Sequence, residues 1–309
     1  MGQLIKSFEK DFSTAAEAMT GADLLIFSYP VYTFIAPSQL HRFIELLKTS
    51  GIDVSGKFAT QITTSKHFYD VTAHKYIQEN CQDLGMKYIK GLSADMDDLL
   101  TEKGRKNAKE FFEYICWCVE HDVYEPLPKQ AAAPAHIPVS PALPNEDKRG
   151  GDVNISEYPF QGGCLGCFNC AASGKCVYKD GFDDFLRNNI QTADAIVYAF
   201  SIKDHSMGSI FKMYDDRQFC NGHRPVTMGK PTGYLISGNY SSEANLQMII
   251  EARSEVGGNF LAGVASDEIN PDAEIDRLAA RLDYAISHRY IQPRNFYGVG
   301  GMKIFRDLI

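Results

Sequence analysis

Long apolar runs are missing from this chain of 309 residues. The best stretch, residues 24–36, is broken by Ser28, Pro30 and Thr33. It falls short of the roughly 20 apolar residues that a membrane helix needs, so no membrane association is expected. Positive charge is scarce too. Lys and Arg number 31 against 39 Asp and Glu, a net charge of −8, the opposite of the basic footprint of a nucleic-acid binder, so no nucleic acid is expected as a partner. The first ten residues carry alternating charges and lack an apolar secretory core, which points to the cytoplasm, where thiols stay reduced. No His pairs with a Glu at metalloprotease spacing. His41, His67, His74, His121, His136, His205, His223 and His288 are scattered and read as surface or core side chains. His205 stands apart only in following a strand where a ligand loop would lie. A Ser/Thr/Asn-rich phosphate loop opening a helix is absent as well.

What is present is a repeated alternation of apolar segments. Residues 1–21 place Leu4, Phe8, Phe12, Ala15 and Ala18 at helical spacing. Asp23 then opens Leu24-Leu25-Ile26-Phe27, short and continuously apolar as a buried parallel strand is. An amphipathic helix is predicted over residues 37–50, a strand over 58–64, a helix over 71–84, a strand over 88–92 and a closing helix over 102–120. Strands alternating with helices predict a doubly wound parallel sheet with helices on both faces. Residues 125–151 hold six of the thirteen prolines plus Ala131-Ala132-Ala133 and Gly150-Gly151, the composition of an extended linker.

Beyond the linker the pattern returns. Aligned without gaps, residues 23–47 fall on 194–218 at an offset of 171. Leu24-Leu25-Ile26-Phe27 matches Ala195-Ile196-Val197-Tyr198, Gly56-Lys57 matches Gly229-Lys230, and Gly91 falls on Gly263. A nearly constant offset across three strand regions indicates a duplicated unit. The expected organisation is unit one over 1–124, the linker over 125–151, unit two over 152–290 and a tail over 291–309.

Eight cysteines are present, and in a reducing compartment they are metal-ligand or core candidates before disulfide candidates. Cys164, Cys167, Cys170 and Cys176 read Cys-x2-Cys-x2-Cys-x5-Cys. Two-residue spacers let neighbouring thiolates converge on one centre, and ferredoxin-type clusters begin similarly. Gly162, Gly163, Gly166 and Gly174 supply backbone freedom. Lys175 and Lys179 are positioned to offset thiolate charge. An iron–sulfur cluster, a tetrathiolate zinc site and a metal-free loop all remain open on chemistry alone, although structural zinc usually draws its ligands from two separated pairs. Cys81, Cys116, Cys118 and Cys220 read as core thiols.

Cys164-Leu165-Gly166-Cys167-Phe168-Asn169-Cys170, then Gly174-Lys175-Cys176, Asp183-Asp184 and Ala193-Asp194-Ala195-Ile196-Val197, closely resembles the iron–sulfur flavoprotein family. That family sits within the flavodoxin-like NAD(P)H-dependent FMN reductases. Ala22-Asp23-Leu24-Leu25-Ile26, Pro30-Val31-Tyr32 and the spacing of Pro37, Leu40, Phe43 and Ile44 resemble its isoalloxazine-loop stretch. The resemblance covers most of residues 15–125 and 160–290. It implies two flavodoxin-like units, FMN at the carboxyl ends of the strands, a [4Fe-4S] cluster on the four cysteines, NAD(P)H as electron donor, and a homo-oligomer. Pro30, Val31, Tyr32, Thr63, Thr64 and Ser65 would then line flavin in unit one. In unit two the matching loop is Ser237, Gly238 and Asn239, continuing to Tyr240. No catalytic acid or base is required.

Both units depart from the family in lacking the usual first strand and phosphate loop. Residues 152–161 leave room before the cysteines for one strand only. Unit two has Ser201-Ile202-Lys203 in place of Pro-Val-Tyr, though Phe211, Lys212 and Asp216-Arg217 keep the family's helix pattern. Without its first strand, the Leu24 strand is expected at a sheet edge, and a longer reading frame upstream is expected. The function predicted is FMN- and iron–sulfur-dependent electron transfer to a redox partner protein or small-molecule acceptor. The alternative is a degenerate, flavin-free metal scaffold or interaction module.

Overall fold

In the computed structural model, which describes residues 2–66, 70–126, 151, 153–221, 226–293, 295, 297–301 and 303, the apolar runs following Asp23 and Asp194 are both strands. The chain divides into two compact units, Met1–Ala131 and Ala132–Ile309. Most of the expected linker and part of the tail lie outside the described residues, as do His67, His136 and His223. Among the described residues, no helix is long and apolar enough to cross a membrane.

Unit one opens with two helices, α1 (Gly2–Lys10) and α2 (Ser13–Thr20), rather than the single helix expected. Asp11 accepts the Ser13 N–H at 2.9 Å, and a short polar side chain bonding the backbone two residues on starts a new turn rather than continuing a helix. Then follow β1 (Leu24–Pro30), α3 (Ser38–Ser50), β2 (Phe58–Ser65), α4 (Asp70–Asp83), β3 (Lys87–Tyr88), β4 (Leu92–Asp95) and α5 (Glu102–Glu120). All strand pairs are parallel: β1 with β2, and β2 with β3 and then β4. The strand expected over 88–92 is thus two short pieces. The break falls at Gly91, where an added Cβ would lie 2.5 Å from the Gln61 carbonyl oxygen. β2, flanked on both sides, is buried along nearly its whole length, whereas β1 at the edge leaves Ile26 exposed.

Unit two carries α6 (Asn169–Ser173), α7 (Phe182–Phe185) with a π turn (Leu186–Ile190), β5 (Ile196–Ser201), α8 (Gly208–Arg217), β6 (Pro231–Ser237), α9 (Ala244–Val256), β7 (Phe260–Ser266) and α10 (Pro271–Ser287). Its sheet is parallel in the order β5-β6-β7. Residues 153–161, which had room for a strand, form only a short helical turn (Ile155–Glu157). Both units are therefore α/β with parallel sheets.

The units share local devices that the alignment did not reveal. Val31 N donates to Thr64 O at 3.2 Å, and Ile202 N donates to Ser237 O at 2.8 Å. Next, Tyr32 and Ile35 exchange backbone bonds of 2.9 and 3.1 Å, and Lys203 and Ser206 do the same at 2.8 and 3.0 Å. The two central residues of each turn have positive φ: Thr33 and Phe34, Asp204 and His205. Non-glycine residues adopt that geometry rarely. Lys57 Nζ caps Thr20 O and Ala22 O at 2.8 and 2.7 Å. Lys230 Nζ caps Gln191 O and Ala193 O at 2.6 and 2.5 Å. This is the role of the shared Gly-Lys pair: each ammonium satisfies two carbonyls in the turn that leads into the first strand. Lys230→Met is expected to cost about 2 kcal/mol, the scale of losing charge-assisted hydrogen bonds. Faster amide exchange in β5 and β6 would report it; unchanged exchange would dismiss the cap as incidental.

Candidate functional site

The four cysteines lie in one loop whose two ends are tied together. Arg217, the last residue of α8, is only 1% exposed. Its Nη1 donates to Gly162 O at 2.9 Å and to Asp180 Oδ2 at 2.8 Å, and its Nη2 to Asp180 Oδ1 at 2.7 Å. The guanidinium lies over the rings of Tyr178, Phe182 and Phe160, with centroids 4.6, 5.1 and 5.8 Å away. Asp180 also accepts the Gln161 and Phe182 N–H groups at 3.0 and 3.3 Å. Burial opposes the Asp180 charge, yet the Arg217 fork and these N–H groups hold its carboxyl below the usual range. Tyr178 Oη closes the same base by donating to Gly163 O at 3.2 Å.

Inside this clasp the chain needs left-handed backbone. Gly166 and Gly174 take φ of 63° and 71°, and Phe168, between the second and third cysteines, takes 56°. α6 carries Cys170, whose thiol donates to Phe219 O at 3.1 Å. Gly166 N–H points to Cys164 Sγ at 3.5 Å, and Cys176 N–H to Asp183 Oδ2 at 3.2 Å. Arg187 secures the Gly174 carbonyl at 2.9 Å. Cys167 is exposed and the other three are half-buried. Burial pushes the Cys164 thiol up to about 11, with Asp216 acting the same way and Gly166 N–H against it. Without a metal that sulfur holds its proton, and a cation must displace it.

Four soft thiols from one short loop suit thiolate-bound metal, a single zinc ion or an iron–sulfur cluster alike. Structural zinc more often draws its ligands from two separated pairs, whereas cluster-binding runs begin with the same two-residue spacers.

Lys175 and Lys179, the lysines expected to offset thiolate charge, are exposed. The buried cation at the loop is Arg217, whose charge is coupled to Cys176. An Asp-Arg pair ending an amphipathic helix was the available signal. Beside it sits an ionic group built on the fully buried Lys212, Asp215 and Asp216. Lys212 Nζ reaches Asp215 Oδ2 at 3.2 Å and Asp216 Oδ1 at 2.5 Å, and Arg253 bonds Asp215.

The expected flavin residues lie at the carboxyl ends of strands, with corrections to their local structure. Pro30 ends β1, in register with Thr64. Val31 and Tyr32 follow, half-buried. Thr63, Thr64 and Ser65 belong to β2, not to a loop. Thr63 is fully buried, with Oγ1 2.8 Å from His74 Nε2. Burial lowers the His74 pKa against the pull of Asp70, which favours the neutral ring. Ser65 Oγ donates to Asp70 Oδ2 at 3.1 Å. In unit two, Ser237 is the last residue of β6 rather than a loop residue. Its hydroxyl donates to Asp267 Oδ2 at 2.6 Å, and Gly238 N–H donates to Asp267 Oδ1 at 2.8 Å. Asn239 and Tyr240 then turn into α9. An open groove of about 410 Å³ runs over this sheet end, between Ala199, Leu235, Ala265 and Ile275, with Ser237 and Asp267 at its polar rim. His205 rests on Glu243, its Nδ1 3.1 Å from both carboxylate oxygens.

No family model matches the chain. A stretch of 73 residues is 33% identical to an iron–sulfur flavoprotein of Archaeoglobus fulgidus, covering 24% of this chain and 33% of that protein. A stretch of 54 residues is 28% identical to an iron–sulfur flavoprotein of Clostridioides difficile, covering 18% of this chain and 24% of that protein. The chain thus spans between a quarter and a third of the length of these curated relatives, and the likeness is to proteins whose names join a flavin to an iron–sulfur centre.

Proposed function

We propose that this protein transfers electrons through a [4Fe-4S] cluster held by Cys164, Cys167, Cys170 and Cys176, in concert with FMN at the strand ends of unit one. The observation that carries the reading is the closed loop: four thiols between the tied residues Gly162 and Asp180. The similarity to two iron–sulfur flavoproteins supports it. When bound, the cluster supplies one-electron chemistry. The chain's part is to present four thiolates, to aim the Gly166 N–H at Cys164 Sγ, which favours the more reduced state, and to keep Arg217 beside Cys176. Pro30, Val31, Tyr32 and Thr64 would border the flavin, NAD(P)H would be its reductant, and a redox protein or small acceptor, reached from a homo-oligomer, would take the electrons.

Unit two favours a second reading for its own strand ends. Asp267 already takes the Gly238 N–H and the Ser237 hydroxyl. A closed, anionic loop is a poor host for a flavin phosphate, so unit two is read as a metal-bearing module without flavin. The two units are inferred to descend from one duplicated unit; the matching turns and lysine caps support this.

Anaerobic reconstitution of the full chain with ferrous iron and sulfide tests the cluster. A broad visible absorption that bleaches on reduction, with about four irons per chain, is expected. Cys167→Ala should abolish it without disturbing the fold, because Cys167 is exposed. Full retention of iron by that variant refutes the ligand role. Quenching of FMN fluorescence on titration with the same protein tests the flavin separately.

A further inference from the structure

Arg217 does more than fill space. The residues it joins, Gly162 and Asp180, stand on either side of all four cysteines. Its side chain is among the largest fully buried ones, enclosed by Phe160, Tyr178 and Phe182. A planar guanidinium binds a carboxylate through two parallel bonds and stacks on aromatic rings at once, which an ammonium cannot do. Of the two N–H groups that these bonds leave over, the one on Nε has no hydrogen-bond partner among the described residues.

We infer that Arg217 is the positioning residue of the four-cysteine loop: it fixes the two loop ends and holds its charge, paired with Asp180, at the base of the loop. This rests on the reading of the loop as a cluster site. Residues outside the ligand set that orient ligands typically govern about 10–100-fold in metal affinity. A buried cation makes the reduced, more negative state of a cluster easier to reach.

The test compares the full chain with Arg217→Gln and Arg217→Lys. Three quantities are measured: amide exchange across residues 162–180 without metal, iron bound after reconstitution, and the reduction midpoint of the bound cluster. Arg217→Gln is expected to speed loop exchange at least about tenfold, to weaken iron binding about 10–100-fold and to shift the midpoint negative. Arg217→Lys keeps the charge and loses the fork. It should leave the midpoint near that of the unaltered protein while the loop still exchanges fast. Exchange in β6 serves as the control for overall folding. If Arg217→Gln does not fold, Asp180→Asn breaks the same clasp from the other side and should loosen the same residues.

Loop exchange and iron binding unchanged in Arg217→Gln would overturn the inference. So would a midpoint that follows loop exchange rather than charge, since that is what simple loosening predicts. If the unaltered chain takes up no iron yet Arg217→Gln loosens the loop, the cluster reading falls and the clasp stands.

Discussion

Lys212→Met is expected to destabilise unit two by about 4 kcal/mol, because it removes a buried cation from between two buried carboxylates. Lys212, Asp215 and Asp216 are all 0% exposed. Lys212 Nζ lies 3.2 Å from Asp215 and 2.5 Å from Asp216. Burial works against the Arg253 charge, yet Asp215 draws the Arg253 pKa upward, so Arg253 is already committed to one of the two acids. Removing the ammonium takes one positive charge from a buried group that holds both carboxylates. Urea unfolding followed by circular dichroism, together with amide exchange in α8, measures the cost. A change below about 1 kcal/mol would mean that the network relaxes around the gap. The double variant Lys212→Met with Asp216→Leu should recover much of the loss, since replacing a whole buried pair by apolar groups is often neutral. The same acid bears on the cysteine loop, as Asp216 adds to the rise of the Cys164 thiol.

Where the chemistry is local, the sequence was legible. Alternating apolar runs disclosed two parallel α/β units, because a strand buried on both faces needs a continuous apolar run and its crossover helix needs a stripe. The closing helix Glu102–Glu120 was bounded correctly: Thr101 accepts the Gly104 N–H at 2.9 Å, and Glu102 in the first turn suits the helix dipole. Cysteine spacing marked one loop because two-residue spacers keep neighbouring thiols on one short stretch of chain. Long-range features were not legible. The clasp joins residues 55 and 37 apart, Gly162 and Asp180 to Arg217, and no periodicity links such positions. Thr63, Thr64 and Ser65 read as a loop because polar side chains mimic a turn. In the fold they extend β2, since Thr63 pairs with His74 and Ser65 with Asp70 across the sheet end. Polar strand ends of this kind are what a ligand-binding edge requires, so the misread boundary falls at a candidate site.

Gly91→Ala should cost unit one about 3 kcal/mol, and the matching glycine of unit two should behave differently. At Gly91 a Cβ would lie 2.3 Å from Gln61 Cγ and 2.5 Å from its carbonyl oxygen. That carbonyl belongs to the central strand, so the neighbour cannot swing away. Gln61 also anchors a buried network: its Oε1 accepts the Tyr29 hydroxyl at 2.6 Å, and its Nε2 donates to His74 O at 2.9 Å and to Tyr88. Displacing it disturbs three elements at once. At Gly263 a Cβ would meet Arg281 Nη1 at 3.6 Å and Leu278 Cδ1 at 3.8 Å, ordinary contacts. There the constraint is the backbone, with φ of 155° beside the irregularity in the β6–β7 pairing, and Gly263→Ala should cost about 1–2 kcal/mol. The sole tryptophan, Trp117, lies in unit one, stacked on His121 with ring centroids 4.5 Å apart. Its fluorescence in urea reads the Gly91 variant directly, and amide exchange in β7 reads the Gly263 variant. Equal costs at the two positions would mean that the shared glycine serves one purpose in both units. Unequal costs in the expected order would mean that the aligned glycine answers a steric demand in the first sheet and a conformational one in the second.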